Sequence, residues 1–259
     1  MAIKNSLPAK DISAVLQAQK MLWEYLCSEN LPGGAALKES VLAREFNLHR
    51  SAVREALSMA TGWGIAEYIP YCGYRKKDFT LRDLIAWSEL REGIEPVAAR
   101  LFTRQASEAA KNHLCRIFAA QENALAEHDN DQFCRQDKLF HWHIVSNSGN
   151  NNLASAGMKC TFEILFQLNS ECCESLLPVC PGNMAEFFDN ISDAHWTLSC
   201  HREILFCILN GEAHSAEQQC RSHIARQTRH LYQIVGQIGK PDLPISKLMN
   251  KTKNGKVTS

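Results

Sequence analysis

Four polar side chains fall where the helical periodicity of the sequence asks for apolar ones. The inward stripe between Cys134 and Val145 passes through Asp137 and His141, and residues four apart on a helix face the same way. His201 sits among Leu198, Leu205 and Ile208, and His223 lies on the inner edge of Cys220, Ile224 and Leu231. The helix carrying His201 ends at Asn210-Gly211, so His201 lies ten residues before Gly211 and His223 twelve after it. An antiparallel helix pair would bring these two imidazoles to one level. Buried polar groups need partners, and one carboxylate with three imidazoles is a donor set for zinc or another first-row divalent ion. Each residue alone has a plainer reading as a hydrogen-bonded core histidine, and Asp137 with His141 as a pair within one helix. The four together favour metal.

A second constellation lies near the N-terminus, over Leu42–Leu57. Two short amphipathic helices are joined by a tight turn. The first buries Leu42 and Phe46, Leu48 fills the corner, and the second buries Val53, Ala56, Leu57 and Ala60. Arg50 and Arg54, four apart, place two guanidinium groups on one edge of the second helix. A helix-turn-helix that enters a DNA groove has this layout, and so does a surface helix with two solvated arginines. Asn47 stands at the turn, and asparagine tolerates the left-handed conformation a turn needs.

The surrounding elements favour DNA. Asp11 to about Ser28 is a helix with an apolar stripe of Ile12, Val15, Leu16, Gln19, Leu22, Trp23 and Leu26, closed by Pro32-Gly33-Gly34. After Gly62-Trp63-Gly64, two short strands, Ile65–Ile69 and Tyr74–Lys77, flank Pro70-Tyr71-Cys72-Gly73 as a hairpin. Helix, helix-turn-helix and hairpin make a winged helix-turn-helix, with Arg75, Lys76 and Lys77 on the wing. Beyond Asp78 every segment reads as helix. Thr80-Leu81-Arg82-Asp83 is a capping start, Pro96 predicts a kink in the helix that follows, and helices continue over 107–128, 131–146, 151–175, 189–209 and 213–238. Pro178 and Pro181-Gly182 mark a long loop. The chain is therefore mostly α: residues 1–78 form the winged helix-turn-helix, 79–238 an all-helical ligand-binding bundle, and 239–259 a basic, mobile tail.

Bulk composition narrows the function. The 259 residues carry a formal net charge of zero, so DNA affinity must come from a local patch. Residues 1–77 hold ten Lys or Arg against seven Asp or Glu, gathered at Arg50/Arg54 and Arg75–Lys77, where phosphate contacts would help. The eleven cysteines include no Cys-x-x-Cys pair, Cys172-Cys173 reads as packing, and Met1–Lys10 is too polar for a signal peptide. A cytoplasmic protein with reduced thiols and no membrane role is expected.

Residues 11–77 resemble the DNA-binding domain of the GntR superfamily of bacterial transcription regulators, through Leu31-Pro32-Gly33-Gly34, Leu42-Ala43, Gly64, Gly73 and above all Arg50-Ser51-Ala52-Val53-Arg54-Glu55-Ala56-Leu57. Residues 80–235 resemble the FCD ligand-binding domain of its FadR-type branch, through Arg91-x-x-x-Glu95, Asp137-x-x-Phe140-His141-x-x-Ile144, Gly149-Asn150, His201-x-x-Ile204 and His223. The resemblance implies that Arg50 and Arg54 contact DNA and that Asp137, His141, His201 and His223 hold a metal completed by a small carboxylate. It also implies that Arg91 faces the pocket and clamps an anionic effector, the alternative being a pair with Glu95 on its own helix.

The sequence thus points to a homodimeric regulator of a pseudo-palindromic double-stranded operator, responsive to a small carboxylate or sugar acid. Arg44, Arg50, Ser51, Arg54, Arg75 and Lys76 form the DNA set. The metal is zinc, with nickel, manganese or iron as alternatives. An all-helical metallohydrolase using the same four ligands is the rival; it needs an open metal position and a nearby base, and it leaves the winged helix-turn-helix unexplained.

Overall fold

One apolar face organises the N-terminal half. Ala52, Val53, Ala56, Leu57 and Ala60 recur at helical spacing and are all buried along α3 (Arg50–Gly62). The computed structural model describes residues 9–26, 31–155 and 194–247, and the chain divides into two units, Met1–Phe79 and Thr80–Ser259. In the first unit, α1 (Ala9–Leu26) and α2 (Glu39–Glu45) both pack on α3. Val15, Ala18, Leu22 and Leu26 form the buried face of α1. Leu16 does not join them and is 60% exposed, because a residue next to Val15 is rotated about 100° away from that face.

The turn between α2 and α3 is left-handed at Asn47, with φ 53°, and the Leu48 amide donates back to the Ala43 carbonyl at 3.0 Å. The expected hairpin is present as β2 (Ala66–Ile69) and β3 (Gly73–Lys76). A third strand, β1 (Ala36–Leu37), pairs antiparallel with the outer side of β3, giving the order β1-β3-β2. Two residues are too few for a two-residue period to show, so this strand was not legible in the sequence. At the wing tip the Cys72 amide donates to the Ile69 carbonyl at 3.0 Å, and Tyr71 takes φ 64° at the turn position that favours glycine.

The second unit is helical: α4 (Leu81–Gln105), α5 (Glu108–Ala126), α6 (Asn130–Ser146), α7 (Asn151–Ser155), α8 (Ala194–Leu209) and α9 (Ala213–Ile238). Thr80 and Asp83 form the full capping box expected at the start of α4. Pro96 does not interrupt α4, which is continuous through it. α9 lies against α4 and α8, α6 against α4 and α5, and α8 against α5 and α4. Phe102, Leu114, Phe140, Val145, Ile204, Ile208 and Ile224 form the core between them. The expected helix beyond Ser155, Cys172-Cys173, the loop at Pro178 and Pro181-Gly182, and the start of the helix from Asp189 lie outside the described residues, as do Met1–Pro8 and 248–259. Among the described cysteines, Cys72, Cys115, Cys200, Cys207 and Cys220 are free thiols. No helix among the described residues is long and apolar enough to cross a membrane.

The mobile tail expected from Gly239 onward is corrected for residues 239–247. Gly239 ends α9 in the left-handed conformation, and the chain turns back onto the start of α4. The carbonyls of Pro241 and Leu243 accept from the amides of Arg82 and Leu81, and Arg82 pairs with Asp242 at 2.7 Å. These bonds satisfy two first-turn amides that a helix cannot satisfy itself. Ile245 is 1% exposed and anchors the segment. The lysine-rich composition concealed one buried isoleucine. Replacing Ile245→Ala should destabilise the protein by about 2–4 kcal/mol, measured as a lower urea midpoint with an unchanged slope.

Candidate functional site

Five helices of the C-terminal unit each send polar side chains into its core. α6 contributes Asp137 and His141, α8 His201, α9 His223, α4 Arg91 and Glu95, and α5 Gln121, and all seven are buried. His141 Nε2 lies 3.1 Å from His201 Nε2 and 3.3 Å from His223 Nε2. The level expected for His201 and His223 on an antiparallel pair is observed, with ring centroids 5.0 Å apart. Asp137 Oδ1 stands 3.5 Å from His201 Nε2 and 4.0 Å from His141 Nε2, without a hydrogen-bond partner.

The far sides of two rings decide which nitrogens carry protons. His141 Nδ1 meets the Glu95 carboxylate at 2.8 Å, and His201 Nδ1 meets Gln121 Oε1 at 2.8 Å. Both oxygens accept, so each Nδ1 donates, and each Nε2 is turned to the centre. Burial, reinforced by the neighbouring cations, holds His201 and His223 well below the usual imidazole range, which keeps both neutral. The His141 and His201 Nε2 atoms, 3.1 Å apart, repel as two lone pairs unless a proton or a metal ion lies between them.

The donor set fits a metal ion. Two nitrogens bound to one ion at about 2.0–2.1 Å lie about 3 Å apart, as the imidazole nitrogens do here. His141, His201 and His223 form the group with ligand atoms close enough to share an ion. Asp137 adds the orphaned oxygen. Burial raises its carboxyl against the pull of His141 and Arg91. The hydrogen bonds from His141 to Glu95 and from His201 to Gln121 are the outer contacts that orient histidine ligands.

Arg91 takes the second of its two expected places. Its guanidinium donates to both Glu95 oxygens, through Nε to Oε1 and through Nη2 to Oε2 at 3.3 Å. Nη1 donates to Gln227 Oε1 at 3.0 Å, and the guanidinium lies over the Trp87 ring. Arg91 is fully buried and is committed to Glu95 rather than presented as an open anion clamp. Burial raises the Glu95 carboxyl, but Arg91 and His141 outweigh it and bring it down to about 2. Glu95 therefore stays ionised, bridging Arg91 to His141.

Gln121, Gln227 and the bridging role of Glu95 were missed in the sequence. Gln121 had a visible signal, because it falls on the apolar stripe of Leu114, Ile117, Phe118 and Ala124. Gln227 and the Glu95–His141 bond had none, since both depend on which helices become neighbours.

In the N-terminal unit, Arg44, Arg50, Ser51 and Arg54 are exposed, as DNA contacts must be. Arg75 and Lys76 are half-buried, and Lys76 Nζ donates to the Leu31 carbonyl at 2.8 Å. That bond ties the return arm of the wing to the loop before β1, so structure already claims part of the expected phosphate-binding capacity of Lys76. Glu39, not singled out from the sequence, faces Arg54 and Arg50.

The family model of the FCD domain matches residues 87–226, more than half of the chain. No curated protein matches it by sequence. Among solved structures, McbR/YncC of E. coli superposes with a TM-score of 0.61 at 17% identity, covering 85% of this chain and 97% of the other. A Rhodococcus sp. RHA1 protein named as a GntR transcriptional regulator does so at 0.61 and 15% identity, covering 85% and 98%. Lar of Listeria monocytogenes, described as controlling expression of the agr system, matches at 0.51 and 18% identity, covering 88% and 99%. At these identities the likeness is one of fold.

Glu95→Ala would leave the buried Arg91 guanidinium without its carboxylate. The expected cost is about 3–5 kcal/mol of folding stability, read by chemical denaturation of metal-free protein.

Proposed function

The chain belongs to the FCD domain family of GntR-type transcription regulators, and from that membership we propose that a small organic acid, bound at the histidine centre, modulates its binding to an operator. The observation that carries this reading is the convergence of three imidazole Nε2 atoms on one buried point beside the unpartnered Asp137 Oδ1. Asp137, His141, His201 and His223 would hold the ion. Zinc fits an imidazole and carboxylate set, and nickel, manganese or iron are the alternatives. A divalent ion bound here offers a coordination position to a carboxylate or sugar acid. Arg91 acts through Glu95, fixing the proton on His141 Nδ1 and so turning the Nε2 lone pair toward the centre.

On the DNA side, α3 is the reading helix. Arg50, Ser51 and Arg54 face the major groove, while Arg44, Arg75 and Lys76 fix register on the backbone. Two copies on a two-fold axis would read a pseudo-palindrome in the cytoplasm. An effector shifts operator binding only if it binds the DNA-competent and DNA-incompetent states with different affinity, and a useful coupling is about 1–3 kcal/mol. The metallohydrolase reading gains no support from the site. Its nearest further carboxylate, Glu95, is locked between Arg91 and His141 and held down to about 2, which makes it a poor base.

Two measurements test the proposal. Elemental analysis of the purified full-length protein should find about one divalent ion per chain, and His201→Ala should lose it while keeping DNA binding and losing the response of that binding to added carboxylates. Arg54→Ala should abolish preference for a duplex enriched from random DNA, with a loss of roughly tenfold or more. Intact preference in that variant would remove α3 from the reading role.

A further inference from the structure

A carboxylate in the first turn of α2 stands against the surface proposed to meet DNA. Glu39 is the acidic residue of that turn, and its side chain is 19% exposed against 63% for Arg50 and 60% for Arg54. A negative charge there weakens attraction to phosphates, so its presence calls for another physical account. The contacts supply one. Arg54 Nε donates to Glu39 Oε1 at 3.0 Å and to Oε2 at 3.1 Å, and Nη2 donates to Oε2 at 2.8 Å. Arg50 Nη2 lies 3.6 Å from the same Oε2.

A guanidinium has two edges that can form paired bonds: the side edge of Nε–H with one Nη2–H, and the end edge of Nη1–H with the other Nη2–H. Glu39 takes the side edge of Arg54. Among the described residues no hydrogen bond takes Nη1, and Arg54 is exposed. The end edge that remains presents two parallel donors, which match O6 and N7 of guanine. Because Glu39 offsets much of the Arg54 charge, a neutral base edge becomes the better partner and an anionic phosphate the worse one. The pairing also removes rotamer freedom that an unsupported arginine would lose on binding. Its strength shows in Glu39 itself, whose carboxyl the Arg54 hydrogen bonds hold below the usual range.

We propose that Glu39 is a positioning residue for sequence reading, which holds the side edge of Arg54 and commits its end edge to a guanine in the major groove rather than to phosphate. The inference rests on the reading that α3 enters DNA. It adds a determinant of specificity outside α3, on the preceding helix.

The test uses the full-length protein and a consensus duplex enriched from a random DNA pool, with each guanine replaced in turn by 7-deazaguanine, which lacks the N7 acceptor. Wild-type protein should show one guanine per half-site whose replacement weakens binding roughly tenfold. Glu39→Ala should lose that sensitivity and reduce the ratio of consensus to random-duplex affinity roughly tenfold. Its random-duplex binding should rise, with a salt slope steeper by about one as Arg54 turns to phosphate. Glu39→Gln, which keeps the shape and removes the charge, should raise random-duplex affinity while keeping part of the discrimination. In the Arg54→Ala background, Glu39→Gln should leave discrimination unchanged. If either Glu39 variant keeps the full 7-deazaguanine penalty while consensus and random binding fall together with melting temperature, Glu39 only braces α2 and the inference is wrong. If the wild-type protein enriches no sequence at all, the DNA-reading premise itself fails.

Discussion

The C-terminal unit depends on three imidazole nitrogens that face one another across 3.1 and 3.3 Å in an apolar core. This arrangement is unfavourable with all three rings neutral, which brings lone pairs together, or all three charged, which buries cations in contact; a shared proton or metal ion relieves it. The surrounding residues nevertheless enforce it. Glu95 and Gln121 hold the outer nitrogens of His141 and His201, and Phe140 stacks on the His201 ring at 4.2 Å. Trp196 stacks on His223 at 5.3 Å. These contacts turn the nitrogens inward as a cage that could hold a metal ion.

The cage also accounts for the polar residues around it. Arg91 and Glu95, both 1% exposed, would be costly as an isolated buried pair. Here Glu95 has a second cationic or hydrogen-bonding neighbour in His141, and Arg91 has Gln227 and the Trp87 ring. The network runs from α9 through α4 to α6, so a change at the centre is felt in α4, which carries none of the candidate ligands. For the proposed effector, that connection would be a physical route from the site into the packing of the bundle.

The N-terminal unit follows a similar rule with exposed charge. The buried alanines and leucine of α3 let α1 and α2 approach closely, and that approach brings the first turn of α2 beside Arg50 and Arg54. Small residues on one face and arginines on the other make α3 both a packing element and a presenting surface. Glu39 joins the two roles.

The sequence by itself determined the helix-turn-helix, the hairpin, the helices around them and the candidate ligands. Helical spacing placed α1 and α3–α6, and the turn chemistry of Asn47 and Gly73 placed the helix-turn-helix and the hairpin. Polar residues on apolar stripes singled out Asp137, His141, His201 and His223, because periodicity is local and survives without knowledge of neighbours. Only the tertiary structure decided matters of partnership. It placed β1 beside β3, buried Ile245, gave Arg91 to Glu95 instead of an open anion clamp, set Gln121 behind His201, and set Glu39 against Arg54. Each of these depends on which surfaces meet across long stretches of chain, and a hydrogen bond between residues 80 or 136 positions apart leaves no periodic trace in the sequence.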